Sequence, residues 1–389
     1  MGRSGMATVH DVARDAGVSI STVSRSFDPS SKISPATRAR VLGAAEKLGY
    51  RPHPVARGLR TGRTHAVGLL VPDLGNPFFA AVTKAVQARA RAEGYEVFVA
   101  DSDEDPEVEP ELIRALAIRT DGLLLASPRA DAVSLYEALD GVIAVLLNRE
   151  LPPPVAAAAP PEPSSERPPI VPEQPLVVSG GRPVALDARA SVVAEGRSPA
   201  ASAVVPGIPA ITLDDADGVA QILGHLSALG HRTVGIAAGP KASWSAARRV
   251  AGLHAAATRW DVRLIELGDF RPHFAGGIQA ADHAVASPAT AVVVFNDLMA
   301  LGVLDRLRQR GIDVPGQMSV IGYDDVPLAT LVTPALTTVR VPLDKLGRRA
   351  VDLLLARLSG TTAPAGAQLP VELVIRGSAG SAPEEPPGR

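Results

Sequence analysis

Two sets of polar residues in this 389-residue chain have the types and spacing to read another molecule by hydrogen bonding. The first is local. From Asp11 to Arg25 the sequence runs DVARDAGVSISTVSR. Ala13, Ala16, Gly17, Val18 and Val23 supply the small and apolar contacts of two packed helices with a glycine turn, which leaves Ile20, Ser21, Thr22, Ser24 and Arg25 to face outward. Hydroxyls and a guanidinium bond to phosphate oxygens and base edges. An arginine on guanine O6 and N7 in a major groove discriminates by ~1–3 kcal/mol. Ile20 has no hydrogen-bonding group and reads only shape or a thymine methyl. The same spacing also serves a small helical packing module. Downstream, Arg51, Arg57, Arg60 and Arg63 suit phosphate contacts, which bring salt-dependent affinity without sequence information.

The second set is dispersed. Asp73 follows the apolar run AVGLLVP, Asp101 and Asp103 follow EVFVA, Asn296 and Asp297 follow AVVVF, and Asp324 and Asp325 follow SVIGY. In a parallel sheet such positions are the C-terminal strand ends, which open onto the ligand crevice. For Asp297 and Asp325, capping of the next helix is an equal reading. The acidic run Asp101–Asp105 is read as a solvated loop or helix N-terminus in preference to a metal site. Motifs of covalent or metal chemistry are missing: no G-x-S-x-G, no G-x-x-x-x-G-K and no H-E-x-x-H. The eight histidines are scattered, and His225 and His231, flanking Leu229–Gly230, read as surface or capping residues. There is no cysteine, hence neither a disulfide nor a thiolate metal site. The expectation is a binding protein without a cofactor and without catalysis.

The elements that must hold these residues follow from periodicity. Thr8 caps a first helix with Val9, Val12, Ala13 and Ala16 on one face; Ser19 caps a second; Ser34-Pro35 starts a third that is expected to bury Val41, Leu42, Ala45 and Leu48 before Gly49. Residues 50–64 read as a linker with a helical turn or two at Val55–Arg60. From Ala66 short apolar runs alternate with helical segments, Phe78–Glu93 and Glu109–Ile118. After a break the pattern resumes with AITLDD, Gly218–Leu229, Ser245–Arg259, Gly276–Ala286 and Met299–Arg310, ending on SVIGYDD. Such alternation is the signature of parallel sheets with crossover helices, one doubly wound lobe per stretch. Between the stretches lies a Pro/Ala/Ser/Glu-rich segment: fourteen of the 35 prolines fall from Pro152 to Pro209. That composition predicts disorder over 152–206, and the last residues, 376–389, read as a disordered tail.

Bulk properties agree with a binding protein of two or three domains. The chain is 46% hydrophobic, 21% charged and 3% aromatic, without a membrane-length apolar run and without a signal-peptide core at its start, which predicts a soluble cytoplasmic protein. The net charge of −2 hides a net +7 over residues 1–64 and −9 over the rest. A basic head on an acidic body suits a nucleic-acid binder with a separate regulatory body.

These motifs together resemble the LacI/GalR family of bacterial repressors. VSISTVSR stands at that family's recognition helix, and ISPATRARVLGAAEKLGYRPHPVARGL at its third helix and hinge. NPFFAAV, GHRTVGIAAGP, NDLMALG, VPGQMSVIGYDD and PALTTVRVP follow in the family's order over about residues 8–150 and 207–375. The resemblance implies an all-α helix-turn-helix head (8–50), a hinge (51–64) and an α/β two-lobed periplasmic-binding-protein-like (type I) domain with parallel sheets (65–375). The N-lobe would comprise about 65–150 and 340–375, the C-lobe about 211–339. It implies a homodimer on a near-palindromic double-stranded DNA operator, controlled by a small-molecule effector, with no membrane partner. The implied DNA-contacting residues are Ser19, Ile20, Ser21, Thr22, Ser24, Arg25, Arg57 and Leu59, the last an apolar wedge for a minor groove. Ala56 and Gly58 would allow close hinge packing, and His53 replaces the family's smaller polar cap. Arg249, Asn296 and Asp324 fall on effector-contacting positions, with Asp73, Asn76, Phe78, Asp103, Ser243, Ser245 and Phe270 around them. That set suits a polyhydroxylated ligand, a sugar first, with a purine as the alternative. A periplasmic receptor would need a signal peptide and no basic head; an activator differs from a repressor only in promoter placement. No leucine heptad predicts a tetramerising coiled coil.

Overall fold

The computed structural model describes residues 7–27, 31–50, 63–152, 207–361 and 366–384. Apart from stubs at 151–152 and 207–208, these belong to one compact unit formed by the chain up to Glu150 and from Pro209 onward. The hinge residues Arg51, His53, Ala56, Arg57, Gly58, Leu59 and Arg60 lie outside the described residues, as do 153–206 of the proline-rich segment.

The head is three helices: α1 (Val9–Ala16), α2 (Ile20–Ser26) and α3 (Pro35–Lys47). Each starts on a hydroxyl cap, Thr8, Ser19 and Ser34, accepting a backbone N–H three residues on. At Thr8 the capping box is complete: its backbone N–H donates to Asp11 Oδ2 at 2.9 Å. Gly17 turns between α1 and α2 at φ +61°, where a side chain would be strained. Val12, Ala13, Ala16, Val23, Val41, Ala44 and Ala45 form the core. Leu42, expected inside, is 41% exposed, and Leu48 only half-buried. The helical period sends Leu42 about 100° away from Val41, and Ala44 takes its place.

The body follows the predicted alternation. In chain order its first half is β1 (Ala66–Val71), α4 (Pro77–Ala92), β2 (Glu96–Asp101), α5 (Glu109–Ala117), β3 (Gly122–Ala126), α6 (Ala132–Ala138) and β4 (Ala144–Leu147). The second is β5 (Ala210–Leu213), α7 (Asp215–Ala228), β6 (Thr233–Ala238), α8 (Trp244–Ala257), β7 (Arg263–Asp269), α9 (Phe274–Val285), β8 (Ala291–Val294), α10 (Asp297–Gln309) and β9 (Ser319–Asp324). The chain closes with β10 (Thr337–Arg340), α11 (Leu343–Leu358), β11 (Gly366–Leu369) and β12 (Glu372–Val374). Helices α6 and α11 escape the apolar-run reading, α6 because it is seven residues long and buries only Leu135 and Ala138.

Two six-stranded sheets result. The first, β11-β5-β4-β3-β1-β2, is parallel throughout; the second, β12-β10-β9-β8-β6-β7, is parallel except for β12 against β10. Central strands β1, β3, β4, β8 and β9 are buried along their whole length, hence their unbroken apolar sequences. The expected lobe boundaries need two corrections. Residues 210–213 belong to the first sheet, because β5 pairs with β4 and β11. The end of the chain returns to the second, because β12 pairs with β10. Four-residue apolar strands carry no mark of which sheet they join.

The expected disordered tail is also corrected. Residues 376–382 strap the second sheet at the strand starts. Ser378, fully buried, accepts from Thr337 N–H at 2.8 Å and donates to the Val320 carbonyl at 2.6 Å. Ala382 N–H donates to the Leu229 carbonyl at 2.8 Å. His231, read from sequence as a surface or capping residue, is fully buried beneath this strap. Its Nδ1 meets Thr290 Oγ1 at 2.8 Å, and its Nε2 lies 3.0 Å from Ser319 Oγ and 3.1 Å from the Gly380 carbonyl.

Candidate functional site

On the head, α2 presents Ile20, Ser21 and Arg25 outward; Ile20 is 43% exposed, while Val23 and Ser26 are buried. Arg25 is exposed, and its Nε donates to the Ser21 carbonyl at 3.4 Å, a weak tie. Ser19 is the cap: its Oγ accepts from Thr22 N–H at 3.2 Å and lies 2.9 Å from both Ser21 Oγ and Thr22 Oγ1. Thr22 and Ser24 are half-buried. Arg57 and Leu59 are outside the described residues.

In the body, one cleft is lined from both lobes. The first lobe supplies Asn76, Phe78, Phe79, Ser127, Arg129 and Asn148; the second supplies Ser245, Arg249, Pro272, Phe295, Asn296 and Asp324. Six of the ten residues singled out from sequence therefore converge: Asn76, Phe78, Ser245, Arg249, Asn296 and Asp324. Four do not line it. Asp73 folds back on its own loop, accepting from Gly75 N–H at 2.6 Å. Asp103 is exposed at φ +51°, its N–H donating to Asp101 Oδ1 at 2.9 Å. Ser243 is fully buried as the cap of α8. Phe270 packs in the core under the second sheet, edge-on to His283 with ring centroids 5.4 Å apart. All four sit at strand or helix ends as expected, but a strand end aims its backbone at the crevice without fixing where the side chain points.

Ser127 and Asn148 were missed, although they directly follow the apolar runs GLLLA and AVLL, the same signal that selected Asp73 and Asp324. Both have positive φ, +47° and +53°. Asn148 Nδ2 donates to Ser127 Oγ at 3.2 Å, while its buried Oδ1 has no partner among the described residues. Arg129 was missed as well. It is nearly buried and held by Glu104 at 2.6 and 2.8 Å and by the Ser127 carbonyl at 2.8 Å.

The second lobe holds its polar groups by caps and ion pairs. Asn296 caps α10, accepting from Met299 N–H at 2.9 Å, and its Nδ2 donates to the Pro272 carbonyl at 3.0 Å. Arg249 donates from Nε to Asp215 Oδ1 at 2.9 Å and from Nη1 to the Phe295 carbonyl at 2.8 Å. Its guanidinium stacks 3.4 Å from the Tyr323 ring centroid. Burial pulls the Arg249 pKa down, but Asp215, Tyr323 and Asp324 outweigh it and hold it above the ordinary value. Asp324 is 5% exposed at φ +115°, and its carboxylate makes no hydrogen bond among the described residues. Burial lifts its pKa well above the ordinary carboxylate range, against the pull of Arg249. Asp297 and Asp325 do not line the cleft. Asp297 accepts from Val326 N–H at 2.9 Å and Thr338 Oγ1 at 2.5 Å, and burial pushes it up to about 7. Asp325 pairs with Arg340 at 2.7 Å and Arg376 at 2.5 Å. Asp101 spends its oxygens on Leu74 and Asp103 N–H groups, and no His/Cys/Asp/Glu cluster among the described residues suits a metal. No helix among them is long and apolar enough to cross a membrane.

A helix-turn-helix head on a two-lobed α/β body with a polar cleft at its strand ends defines an effector-type DNA-binding regulator. Comparison with known proteins agrees. Residues 8–53 match the family described as bacterial regulatory proteins, lacI family. Residues 64–160 match periplasmic binding proteins and sugar binding domain of LacI family, and 223–379 a periplasmic binding protein-like domain. The transcriptional repressor CytR of Escherichia coli K12 is 30% identical over 97% of both chains. The regulator GalR of the same organism is 32% identical over 90% of this chain and 89% of its own. Among solved structures, the Lac repressor dimer bound to operator and the anti-inducer ONPF is 27% identical with a TM-score of 0.76, covering 97% of this chain and all of that one. The regulator CelR in complex with cellobiose is 27% identical, covers 96% of this chain and 99% of that one, and has a TM-score of 0.61. The chain belongs to the LacI/GalR family of transcriptional regulators. These relatives regulate transcription and are not enzymes.

Proposed function

We propose that the protein is a dimeric cytoplasmic repressor that holds a near-palindromic operator and changes its grip when a small polyhydroxylated effector, a sugar or related metabolite, enters the cleft. The observation that carries this reading is the cleft itself: Arg249, Asn296 and Asp324 face Ser127 and Asn148 across phenyl rings. Among the described residues, that is a carboxylate with no protein donor, an unpartnered amide oxygen and a fixed cation around an apolar surface, groups that hydroxyls satisfy. The Lac repressor dimer on operator and CelR with cellobiose support the same division of labour. In the head, Ile20, Ser21 and Arg25 read bases in the major groove. Ser19, Thr22 and Ser24 set the helix and its phosphate contacts, and the hinge supplies Arg57 to phosphate and Leu59 to the minor groove. A second reading has its own observation. Phe78 and Phe79 stand edge to face at 5.0 Å, and with Phe295 they offer stacking surface to a nucleobase.

The test is a thermal-shift screen of sugars and nucleosides on the purified chain, followed by gel-shift titration of a mapped operator with each hit. One sugar should raise the melting temperature and alter operator affinity by at least tenfold. A nucleoside hit instead selects the second reading. A hit that leaves operator affinity unchanged would sink the effector role.

A further inference from the structure

We infer that Asp215 is a positioning residue for the cleft: it holds Arg249 in register and ties that arginine to the point where the chain crosses between lobes. The inference rests on the cleft being the effector site.

Among the described residues, Arg249 is the only arginine lining the cleft from the second lobe. Its Nε and Nη1 are committed to Asp215 and to the Phe295 carbonyl, while Nη2 makes no hydrogen bond among the described residues. An unrestrained arginine samples many rotamers and loses that freedom on binding a ligand. Here the freedom is removed beforehand. Asp215 Oδ1 receives both Arg249 Nε at 2.9 Å and the Tyr323 hydroxyl at 3.0 Å, so one oxygen fixes the guanidinium and the ring it stacks on. Asp215 is fully buried, and its Oδ2 has no partner among the described residues. A buried carboxylate with an idle oxygen is expensive, and replacing the pair with apolar residues would often be neutral or stabilising. Its presence is accounted for by orientation of Arg249.

The backbone puts this carboxylate at a junction. Strand β5 ends at Leu213 in the first sheet, and Asp214 N–H still donates to the Leu369 carbonyl of β11 at 2.9 Å. Asp215 is the next residue and the first of α7 in the second lobe. Gly218, one turn on, makes room: a Cβ there would lie 2.7 Å from the Tyr323 hydroxyl oxygen. Any movement of Arg249 that keeps its bond to Asp215 pulls on the crossover, which is the geometry a ligand needs to bias lobe orientation.

The test has two arms. In the first, the Arg249 Nε–Hε resonance is assigned in the full-length protein by its loss in Arg249→Lys. It should be protected from exchange in the wild type and in Asp215→Asn, which keeps an acceptor, and lost in Asp215→Ala. Persistence in a folded Asp215→Ala overturns the inference without reference to any effector. In the second, D-ribose and cellobiose binding is measured by calorimetry. If either sugar binds, Asp215→Ala should weaken it about ten- to a hundredfold. The double variant with Arg249→Gln should be no worse than Arg249→Gln alone; additive losses would mean that Asp215 acts elsewhere. If neither sugar binds the wild type, ribose and cellobiose are excluded as effectors while the resonance arm still decides the role of Asp215.

Discussion

At the scale of residues, the cleft trades stability for recognition. Asp324 has a strained positive φ and a buried carboxylate that accepts no hydrogen bond among the described residues. Its pKa is raised in the folded protein, mainly by burial. As the pH rises above the ordinary aspartate value, the unfolded chain gives up its proton while the folded chain keeps it, so stability is present at low pH and lost as pH climbs through that window. Asp324→Asn should therefore be more stable than the wild type at about pH 8, by roughly 1–3 kcal/mol, with the gap closing near pH 4. Urea unfolding at both pH values checks this, and a gap independent of pH would contradict it. The same variant should lose its effector response. On the head, Arg25→Ala should weaken specific operator binding by ~1–3 kcal/mol and relax preference at one base position, read by gel shift on a set of single-base operator variants. Equal loss on all sequences would move Arg25 to a phosphate.

At the scale of elements, the C-terminal strap stabilises the end of the second sheet away from the cleft. Ser378→Ala strands the Thr337 N–H and removes a donor from the Val320 carbonyl. It should cost roughly 2–3 kcal/mol in denaturant unfolding without changing operator affinity. Beneath the strap, burial holds the His231 pKa below its ordinary value of 6.5, only partly offset by the Gly380 carbonyl. The folded protein thus binds fewer protons than the unfolded chain just below that value. Stability from this group is complete above pH 6.5 and falls as the pH drops through the window beneath it. The slope of unfolding free energy over that window should flatten in His231→Gln. An unchanged slope would show that the strap does not depend on a neutral imidazole. Strap and histidine were illegible in the sequence because a Gly/Ser/Pro-rich end looks disordered when its hydrogen-bond partners are far away in the chain.

At the scale of the whole molecule, β4 and β5 pair directly, Leu146 with Ala210 and Leu147 with Ile211, although more than sixty positions separate them in sequence. Parallel neighbours need a return path but not one of this length. Replacing 153–206 with a Gly/Ser linker of about eight residues should keep the fold. It should add roughly 1–2 kcal/mol of stability, since each doubling of loop length costs about 0.6 kcal/mol. Denaturant unfolding and gel shift together test this. A loss of operator binding in a stable shortened chain would assign the segment a role in regulation.

The sequence by itself determined what local rules control. Helix caps at Thr8, Ser19 and Ser34 follow from backbone N–H groups that need a nearby acceptor. Buried parallel strands show as unbroken apolar runs, and the family follows from ordered motifs. Six cleft residues were legible because strand ends and helix caps sit at fixed offsets from those runs. Only the tertiary structure decided which strand ends turn their side chains into the cleft, excluding Asp73 and Asp103 and admitting Ser127 and Asn148. It also decided that residues 210–213 and 372–374 change lobes, and that Asp215 meets Arg249 across 34 positions of sequence. Each of these depends on rotamers, sheet pairing or long-range contacts, and nothing in the neighbouring residues encodes them.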